Sequence, residues 1–170
     1  MTPPMPDDSP ATSPALDFCD PATARAFRGI NDAVMGGVST SRLSVTDSAL
    51  VFEGEVSLQN NGGFASFRGP VRIPAGASAL QVTVRGDGKR YKLTVKLDDS
   101  NVTAQYQAPF TAPRDWTTLR FAPGDFAASF RGRAVVAPPL AFGEVRTLGV
   151  LISERQAGPF RIELRDVRIV

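Results

Sequence analysis

Two glycine-rich segments carry polar side chains of the kind that could contact a ligand. The sequence reads NDAVMGG at residues 31–37 and NNGG at residues 60–63, and the second segment continues directly into the alternating run FASFR. Asparagine side chains both donate and accept hydrogen bonds, and paired glycines allow positive φ angles and close approach of the backbone to another molecule. The same residue types also form ordinary tight turns. Local chemistry leaves both interpretations open, and a hairpin is the default for NNGG.

Arg68 is a candidate of a different kind, because the period of its segment places it on a strand. It shares one face of the predicted strand with Phe64 and Ser66. Ala65 and Phe67 point to the other face, which must be core. A strand arginine opposite the core can bind a carboxylate, a phosphate or a partner backbone through directional hydrogen bonds. Arg68 could therefore line a concave binding face.

Residue types that most enzymes need are missing from the chain. There is no histidine, which removes the usual general base near neutral pH, the commonest transition-metal ligand and any Ser-His or Cys-His pair. The single cysteine, Cys19, cannot form an internal disulfide, and we expect a buried or inert thiol near the first strand. Asp98, Asp99 and Asn101 match no defined calcium loop. We therefore predict a protein that is not an enzyme and that binds no cofactor or metal.

Length, charge and the N-terminal segment bound the class of protein. The 170 residues are enough for one domain with a full core, and hydrophobic residues make up an ordinary 42% of them. The formal net charge is +2 and the basic residues are scattered, which predicts no nucleic-acid partner. No apolar run approaches the roughly 20 residues that span a bilayer, so membrane insertion is not expected. Residues 1–15 are rich in proline and contain no basic residue, which predicts a disordered tail, a cytoplasmic protein and a single domain over residues 16–170.

The elements that must position these residues are strands, because apolar residues recur with a period of two after Leu16. About nine strands punctuated by glycine and proline are typical of an all-β fold, an antiparallel β-sandwich or jelly roll. The strands are predicted near residues 39–45, 50–58, 64–69, 80–85, 91–97, 102–108, 117–121, 145–152 and 160–169.

Three details of this strand pattern can be checked against a structure. Asp87-Gly88, in the sequence RGDGKR, is a hairpin signal and predicts that strands 80–85 and 91–97 pair antiparallel. The parity of the apolar residues changes near Arg165, which predicts a β-bulge at that point. Residues 122–144 are predicted to form one long irregular connection, functional or packed over a sheet edge.

Several motifs follow one another along the chain in a fixed order. They are NDAVMGGVSTS at residues 31–41, FEGEVSLQNNGGFASFR at 52–68, RGDGKRYKL at 85–93, a segment containing Trp116, FAASFRG at 126–132 and ISERQAGPFRIEL at 152–164. This succession resembles the complex I intermediate-associated protein 30 family. The resemblance implies a galactose-binding-domain-like β-sandwich, in agreement with the period of two. It also implies a chaperone-like factor that binds an intermediate during assembly of respiratory complex I or another multisubunit complex.

These strands and loops suggest one binding face with two possible uses. For a protein partner, the face would mask a surface that is buried later, with Met35 and Phe64 in apolar contact and arginines donating charge-assisted hydrogen bonds. The alternative is a carbohydrate- or small-ligand-binding module, in which Tyr91 or Trp116 stacks on a sugar ring. The residues assigned to the face are Asn31, Asp32, Met35, Gly36, Gly37, Asn60, Asn61, Gly62, Gly63, Arg68, Arg85, Asp87 and Tyr91.

Overall fold

A computed structural model describes residues 15–31, 39–46, 48–59, 63–98, 103–130 and 133–170 of the chain. Nearly all of the predicted tail therefore lies outside the described residues. Within them, the dominant elements are antiparallel strands in two sheets that share one hydrophobic core. The fold is an antiparallel β-sandwich, as the period of two predicts.

We call the six-stranded sheet sheet A and the seven-stranded sheet sheet B. Sheet A contains β1 (Leu16–Asp17), β3 (Thr40–Val45), β4 (Leu50–Val56), β6 (Leu80–Gly86), β9 (Thr117–Phe121) and β13 (Gly158–Ile169). Its order is β3-β4-β13-β6-β9, and β1 pairs with β13. Sheet B contains β2 (Arg28–Asn31), β5 (Ala65–Pro70), β7 (Arg90–Lys96), β8 (Gln105–Thr111), β10 (Ala127–Phe130), β11 (Arg133–Ala134) and β12 (Thr147–Ile152). Its order is β11-β10-β8-β7-β12-β5-β2.

The helices of the described residues are short. Helix α1 (Pro21–Arg25) begins where the Asp20 side chain accepts a hydrogen bond from the Ala22 amide, and proline at its first position has no amide to leave unpaired. Two 3-10 turns cover Pro123–Asp125 and Phe142–Glu144. None of these helices is long and apolar enough to cross a membrane.

The two sheets meet through alternating apolar side chains and a line of aromatic rings. Phe67 of β5 packs edge-on against Phe52 of β4, with 4.9 Å between the ring centroids. Phe52 in turn contacts Phe160 of β13, and Phe67 contacts Phe27 after α1. Edge-to-face aromatic pairs of this kind add to the free energy gained by burial. They fix which side of β5 is core, and therefore where Arg68 points.

All nine predicted strands are present close to their predicted positions. The predicted bulge is also confirmed, because the register between β13 and β6 shifts between Leu164 and Asp166. The long connection over residues 122–144 is only partly irregular, since β10 and β11 lie within it and extend the edge of sheet B. The period of two after Leu16 predicts strands alone, and the short helix α1 is an addition to that pattern.

The predicted hairpin at Asp87-Gly88 is wrong. Strand β6 pairs with β13 and β9 in sheet A, whereas β7 pairs with β8 and β12 in sheet B. The turn, with Gly88 at φ +83°, carries the chain from one sheet to the other. Both strands have a full apolar face, and crossing between sheets lets those faces pack against each other through the core instead of lying side by side.

The hairpin interpretation of NNGG is wrong for the same reason. Strand β4 belongs to sheet A and β5 to sheet B, so the segment between them also crosses between the sheets. Residues 60–62 lie outside the described residues. Gly63, which the structure describes, has a φ of +137° that favours glycine.

Candidate functional site

The two sheets differ in the charges that their strands carry. Strands of sheet A contain both signs in similar number, with Asp17, Glu53, Glu55, Glu163 and Asp166 against Arg42, Arg85, Arg120, Arg161, Arg165 and Arg168. Strands of sheet B contain no acidic residue, and their basic residues are Arg28, Arg68, Arg90, Lys92, Lys96 and Arg133. A chain with a net charge of only +2 therefore folds into one balanced sheet and one basic sheet.

On the outer face of sheet A the charges neutralise one another. The Glu53 carboxylate accepts hydrogen bonds from Arg42 at 3.1 Å and from Arg161 at 2.9 Å. The Glu163 carboxylate accepts a hydrogen bond from the Arg85 Nε at 2.7 Å. The hydrogen bond from Arg42, reinforced by Arg161, holds the pKa of Glu53 below its ordinary value. This ladder of ion pairs stabilises the sheet surface.

Trp116 lies on the same side of the sandwich, next to this ladder. Its indole ring is 4.8 Å from the Arg85 guanidinium and 4.2 Å from that of Arg165. Both separations are within the range of cation–π contacts. Arg85 and Trp116 therefore belong to the surface of sheet A.

A row of facing residues crosses the outer side of sheet B. Arg28 of β2 pairs with Arg68 of β5, and Arg68 pairs with Gly149 of β12. Gly149 also pairs with Thr94 of β7, which pairs with Gln107 of β8. The neighbours of these residues along each strand, such as Phe67 and Leu93, are fully buried in the core, so the row faces outward.

The side chains in the middle of this row are polar and nearly buried. Arg68 is 8% exposed, Thr94 5% and Gln107 9%, while Lys92, one pleat along β7, is half-buried. In the part of the chain that the structure describes, the side chains of Lys92, Thr94 and Gln107 have no hydrogen-bond partner. Their polar atoms nevertheless keep contact with solvent, because Asp166 Oδ1 is the only fully buried side-chain oxygen or nitrogen without a partner among those residues.

Gly149 opens a gap in the centre of the row. A Cβ atom at this position would overlap the Phe67 carbonyl oxygen, so the backbone permits only glycine. The result is a stretch of bare backbone between the side chains of Arg68 and Thr94. The row from Arg28 through Arg68, Gly149 and Thr94 to Gln107, together with Lys92, is called the sheet B row below.

The structure places the predicted site residues in different parts of the molecule. Arg68 faces outward on sheet B, and Ala65 and Phe67 face the core, as the parity of FASFR predicts. Asn31 ends β2 opposite Ala65, and Gly63 lies two residues before β5, so both glycine-rich segments join sheet B at the same end. The predicted residues that lie outside the described residues are Asp32, Met35, Gly36, Gly37, Asn60, Asn61 and Gly62.

Arg85, Asp87 and Tyr91 do not join Arg68 on one face, contrary to expectation. Arg85 belongs to the ladder on sheet A. The Tyr91 ring is 1% exposed in the core, and its hydroxyl donates to the Asp87 carboxylate at 3.1 Å. Asp87 also accepts hydrogen bonds from the backbone amides of Lys89 and Arg161. Burial raises the pKa of the Tyr91 phenol, and the Asp87 charge raises it further.

Sequence reasoning missed Lys92, Thr94, Gln107 and Gly149 as candidate site residues. Their signal was present, because 92 and 94 occupy the polar parity of a strand whose other parity is wholly apolar. In a strand considered by itself, such a polar parity is typical of a face in contact with solvent. Only the strand order shows that these residues lie beside Arg68, since β7 and β5 are both neighbours of β12.

Comparison with known families agrees with the resemblance in the motifs. Residues 16–164 match the family described as complex I intermediate-associated protein 30 (CIA30). The chain belongs to the CIA30 family. A search of curated proteins finds no match for this CIA30-family chain.

Solved structures with the same fold include carbohydrate-binding modules. The family 11 carbohydrate-binding module of the cellulosomal cellulase Lic26A-Cel5E of Clostridium thermocellum superposes with a TM-score of 0.62 at 8% identity, over 85% of this chain and 87% of that one. The same organism's module in complex with a β-1,3-1,4-mixed-linked tetrasaccharide gives 0.59 at 9% identity, over 85% and 88%. An agarase, AgWH50C, gives 0.61 at 11% identity, over 92% of this chain but only 24% of the agarase. At these identities the similarity establishes the fold.

Proposed function

We propose that the chain is a non-enzymatic protein-binding module that assists the assembly of respiratory complex I or another multisubunit complex. The observation that carries this proposal is the sheet B row, in which Thr94 and Gln107 are nearly buried, Lys92 is half-buried, and none of these three side chains has a hydrogen-bond partner among the described residues. Membership of the CIA30 family supports the choice of a protein partner. A cytoplasmic role agrees with the lone cysteine, which cannot form an internal disulfide.

Polar groups in this position favour binding to another molecule. The polar atoms of Lys92, Thr94 and Gln107 still contact solvent, so the polar groups of a partner can replace that water without leaving a donor or acceptor unpaired. Thr94 and Gln107 together offer donors and acceptors on adjacent strands, which suits the backbone of a partner chain. The row crosses five strands at about 4.8 Å each, which is a length of about 19 Å. A surface of this length fits a segment of a partner rather than an isolated small group.

The mechanism we propose is transient masking. The module would cover a surface of an assembly intermediate until the subunit that buries this surface arrives. A polar contact suits such a role, because interfaces that form and separate are more polar than permanent ones. Sheet B is well placed for it, since its outer face is presented by the rigid centre of a sheet rather than by a loop.

Affinity purification with matched variants tests this function. The tagged wild-type chain, a Lys92→Glu variant and an Arg120→Glu variant would be recovered from the source cell and compared by quantitative mass spectrometry. Arg120 is an exposed basic residue on sheet A, so its variant changes the net charge equally on the other face. We expect subunits of complex I or of another complex with wild type and Arg120→Glu, and at least a tenfold loss with Lys92→Glu. Enrichment that is equal in all three samples would contradict the proposal.

Carbohydrate binding is the second candidate function. It is favoured by the shared fold with the family 11 module. Against it, Phe67, Tyr91 and Tyr106 of sheet B are buried in the core, and Trp116 lies on the other sheet. A face without an aromatic platform is a poor site for a sugar ring. Saturable binding of the mixed-linked tetrasaccharide, lost on Gln107→Ala, would favour this candidate over the first.

A further inference from the structure

We propose that the ligand of the sheet B row is an extended, acidic segment of the partner protein, with carboxylates at alternate positions. This inference rests on the proposed function and names the chemistry of the partner. It follows from the charge of sheet B, from the polar groups of the row and from the dimensions of the row.

The charge of sheet B favours an anionic ligand. No strand of this sheet contains aspartate or glutamate, while Arg28, Arg68, Lys92 and Lys96 all have the outward parity. Lys96 is held by the Thr103 carbonyl, to which its ammonium donates at 2.6 Å. Arg28 and Arg68 also interact with other groups of the chain, so we base the proposal on the net charge of the face and not on either guanidinium being unbound.

The contrast with sheet A shows that this charge pattern is specific to one face. On sheet A each arginine of the ladder lies within 4 Å of a glutamate, as in the pairs Arg85–Glu163 and Arg161–Glu53. An acidic partner approaching sheet A would have to displace these pairs. On sheet B, Arg90 is paired with Glu154 at 3.2 Å, whereas the Lys92 ammonium has no ion pair among the described residues and can bind a carboxylate of the partner. Charged groups arranged in this way direct a partner to one face and reject partners of like charge.

The geometry of the row favours an extended chain. Its length of about 19 Å corresponds to about six residues at 3.3 Å each. Side chains on one side of such a segment repeat every two residues, or about 6.6 Å, so one carboxylate can reach Lys92 while the next ones lie over the same basic face. The bare backbone at Gly149 lets the segment approach between Arg68 and Thr94, and the amide of Gln107 can pair with its backbone.

A peptide accounts for the row better than a nucleic acid does. Single-stranded nucleic acids bind to basic grooves that also contain aromatic side chains for base stacking. In the central described strands of sheet B, Phe67, Tyr91 and Tyr106 lie on the buried side, and the row itself contains no aromatic residue. The backbone-pairing groups Thr94 and Gln107 instead match a peptide.

The test uses a capped hexapeptide of alternating aspartate and serine, with an asparagine–serine peptide as its uncharged counterpart. Binding to the full chain would be measured by calorimetry and by amide chemical shifts. We expect saturable binding of the acidic peptide, chemical-shift changes confined to β2, β5, β7, β8 and β12, and at least tenfold weaker binding of the asparagine peptide. The loss of one charge-assisted hydrogen bond weakens binding about tenfold. We expect this decrease in affinity for the acidic peptide from Lys92→Gln. Arg28→Gln, at an exposed position, is the second variant, and Arg120→Gln is the control that leaves affinity unchanged.

Several results would overturn the inference. Equal binding of the two peptides, shifts on sheet A, or tighter binding of an oligothymidylate or an oligogalacturonate of similar length would each contradict an acidic peptide ligand. If Lys92→Glu still abolishes capture of complex subunits while the acidic peptide fails to bind, the proposed function stands and this inference fails. If capture is independent of Lys92, the proposed function itself fails, whatever the peptides do.

Discussion

Replacing Asp87 with alanine should destabilise the protein without affecting the binding face. The sequence assigned Asp87 to the site, but in the structure its carboxylate connects the crossing between the sheets to β7 and β13. It accepts hydrogen bonds from the Tyr91 hydroxyl at 3.1 Å, the Lys89 amide at 3.0 Å and the Arg161 amide at 2.9 Å. All three donors lose their partner in Asp87→Ala.

The expected magnitude follows from the burial of each donor. The Tyr91 residue is 1% exposed, so its hydroxyl would be left in the core without an acceptor. A hydroxyl left unpaired in the core lowers the free energy of unfolding by about 1–3 kcal/mol. Each of the two amides nearer the surface, once it has lost its acceptor, lowers it further by about 0.5–1.5 kcal/mol. The free energy of unfolding should therefore fall by about 2–6 kcal/mol. With a urea m-value of about 2 kcal/mol/M, the midpoint should fall by at least about 1 M.

Urea unfolding followed by the fluorescence of Trp116 measures this effect, since the ring lies between two guanidinium groups in the folded state. Asp87→Asn keeps an acceptor oxygen and should lose less stability than Asp87→Ala. In a Tyr91→Phe background, Asp87→Ala should cost about 1–2 kcal/mol less, because the two residues interact directly. A loss below about 1 kcal/mol, or weaker peptide binding at unchanged stability, would refute the structural role and return Asp87 to the site.

Three further predictions concern positions on both sheets. Gly149→Ala should lower the free energy of unfolding by at least about 2 kcal/mol, since the new Cβ would overlap the Phe67 carbonyl; unchanged thermal denaturation would contradict the geometry of the row. The hydrogen bond from Arg42 lowers the pKa of Glu53 in the folded state. The contribution of this ion pair to the free energy of unfolding is therefore present above the ordinary pKa of 4.5 and is lost as the pH falls. Glu53→Gln should therefore flatten the acid side of the stability profile, and an unaltered profile would count against the ladder. The Cys19 side chain is exposed, but partial desolvation and the Asp17 carboxylate raise its pKa. Iodoacetamide should accordingly modify it at pH 8 more slowly than a cysteine peptide and faster in Asp17→Asn, and a rate equal to the peptide's would show that the thiol is unperturbed.

The sequence predicts the strands well because the period of two is a local property. The alternation in 80–85, 91–97 and FASFR depends only on which side of each strand faces a core. The change of parity near Arg165 is equally local, and the structure places a bulge there.

Strand pairing is not a local property, and here the sequence misleads. Asp87-Gly88 has the residues of a two-residue hairpin turn, but the apolar faces of β6 and β7 gain more by packing across the core than by lying in one sheet. The carboxylate of Asp87 then bonds to β13, which lies more than 70 residues later in the chain. No pattern within the turn indicates this partner.

The candidate site could be predicted only in part for the same reason. Arg68 is identifiable as outward-facing from its neighbours alone. Lys92, Thr94, Gln107 and Gly149 become its neighbours only through the order β8-β7-β12-β5. The charge of the face likewise depends on that order, since the basic strand residues divide equally between the two sheets while every acidic strand residue lies on sheet A.

Site-specific photo-crosslinking tests the central claim, that the outer face of sheet B is the binding surface. A photoreactive amino acid would replace Lys92 on sheet B or, as the matched control, Arg120 on sheet A, in the full chain inside the source cell. We predict a discrete protein adduct from position 92 that contains an acidic segment at the crosslinked site, and none from position 120. Adducts from position 120 but not from position 92 would contradict the assignment of function to sheet B.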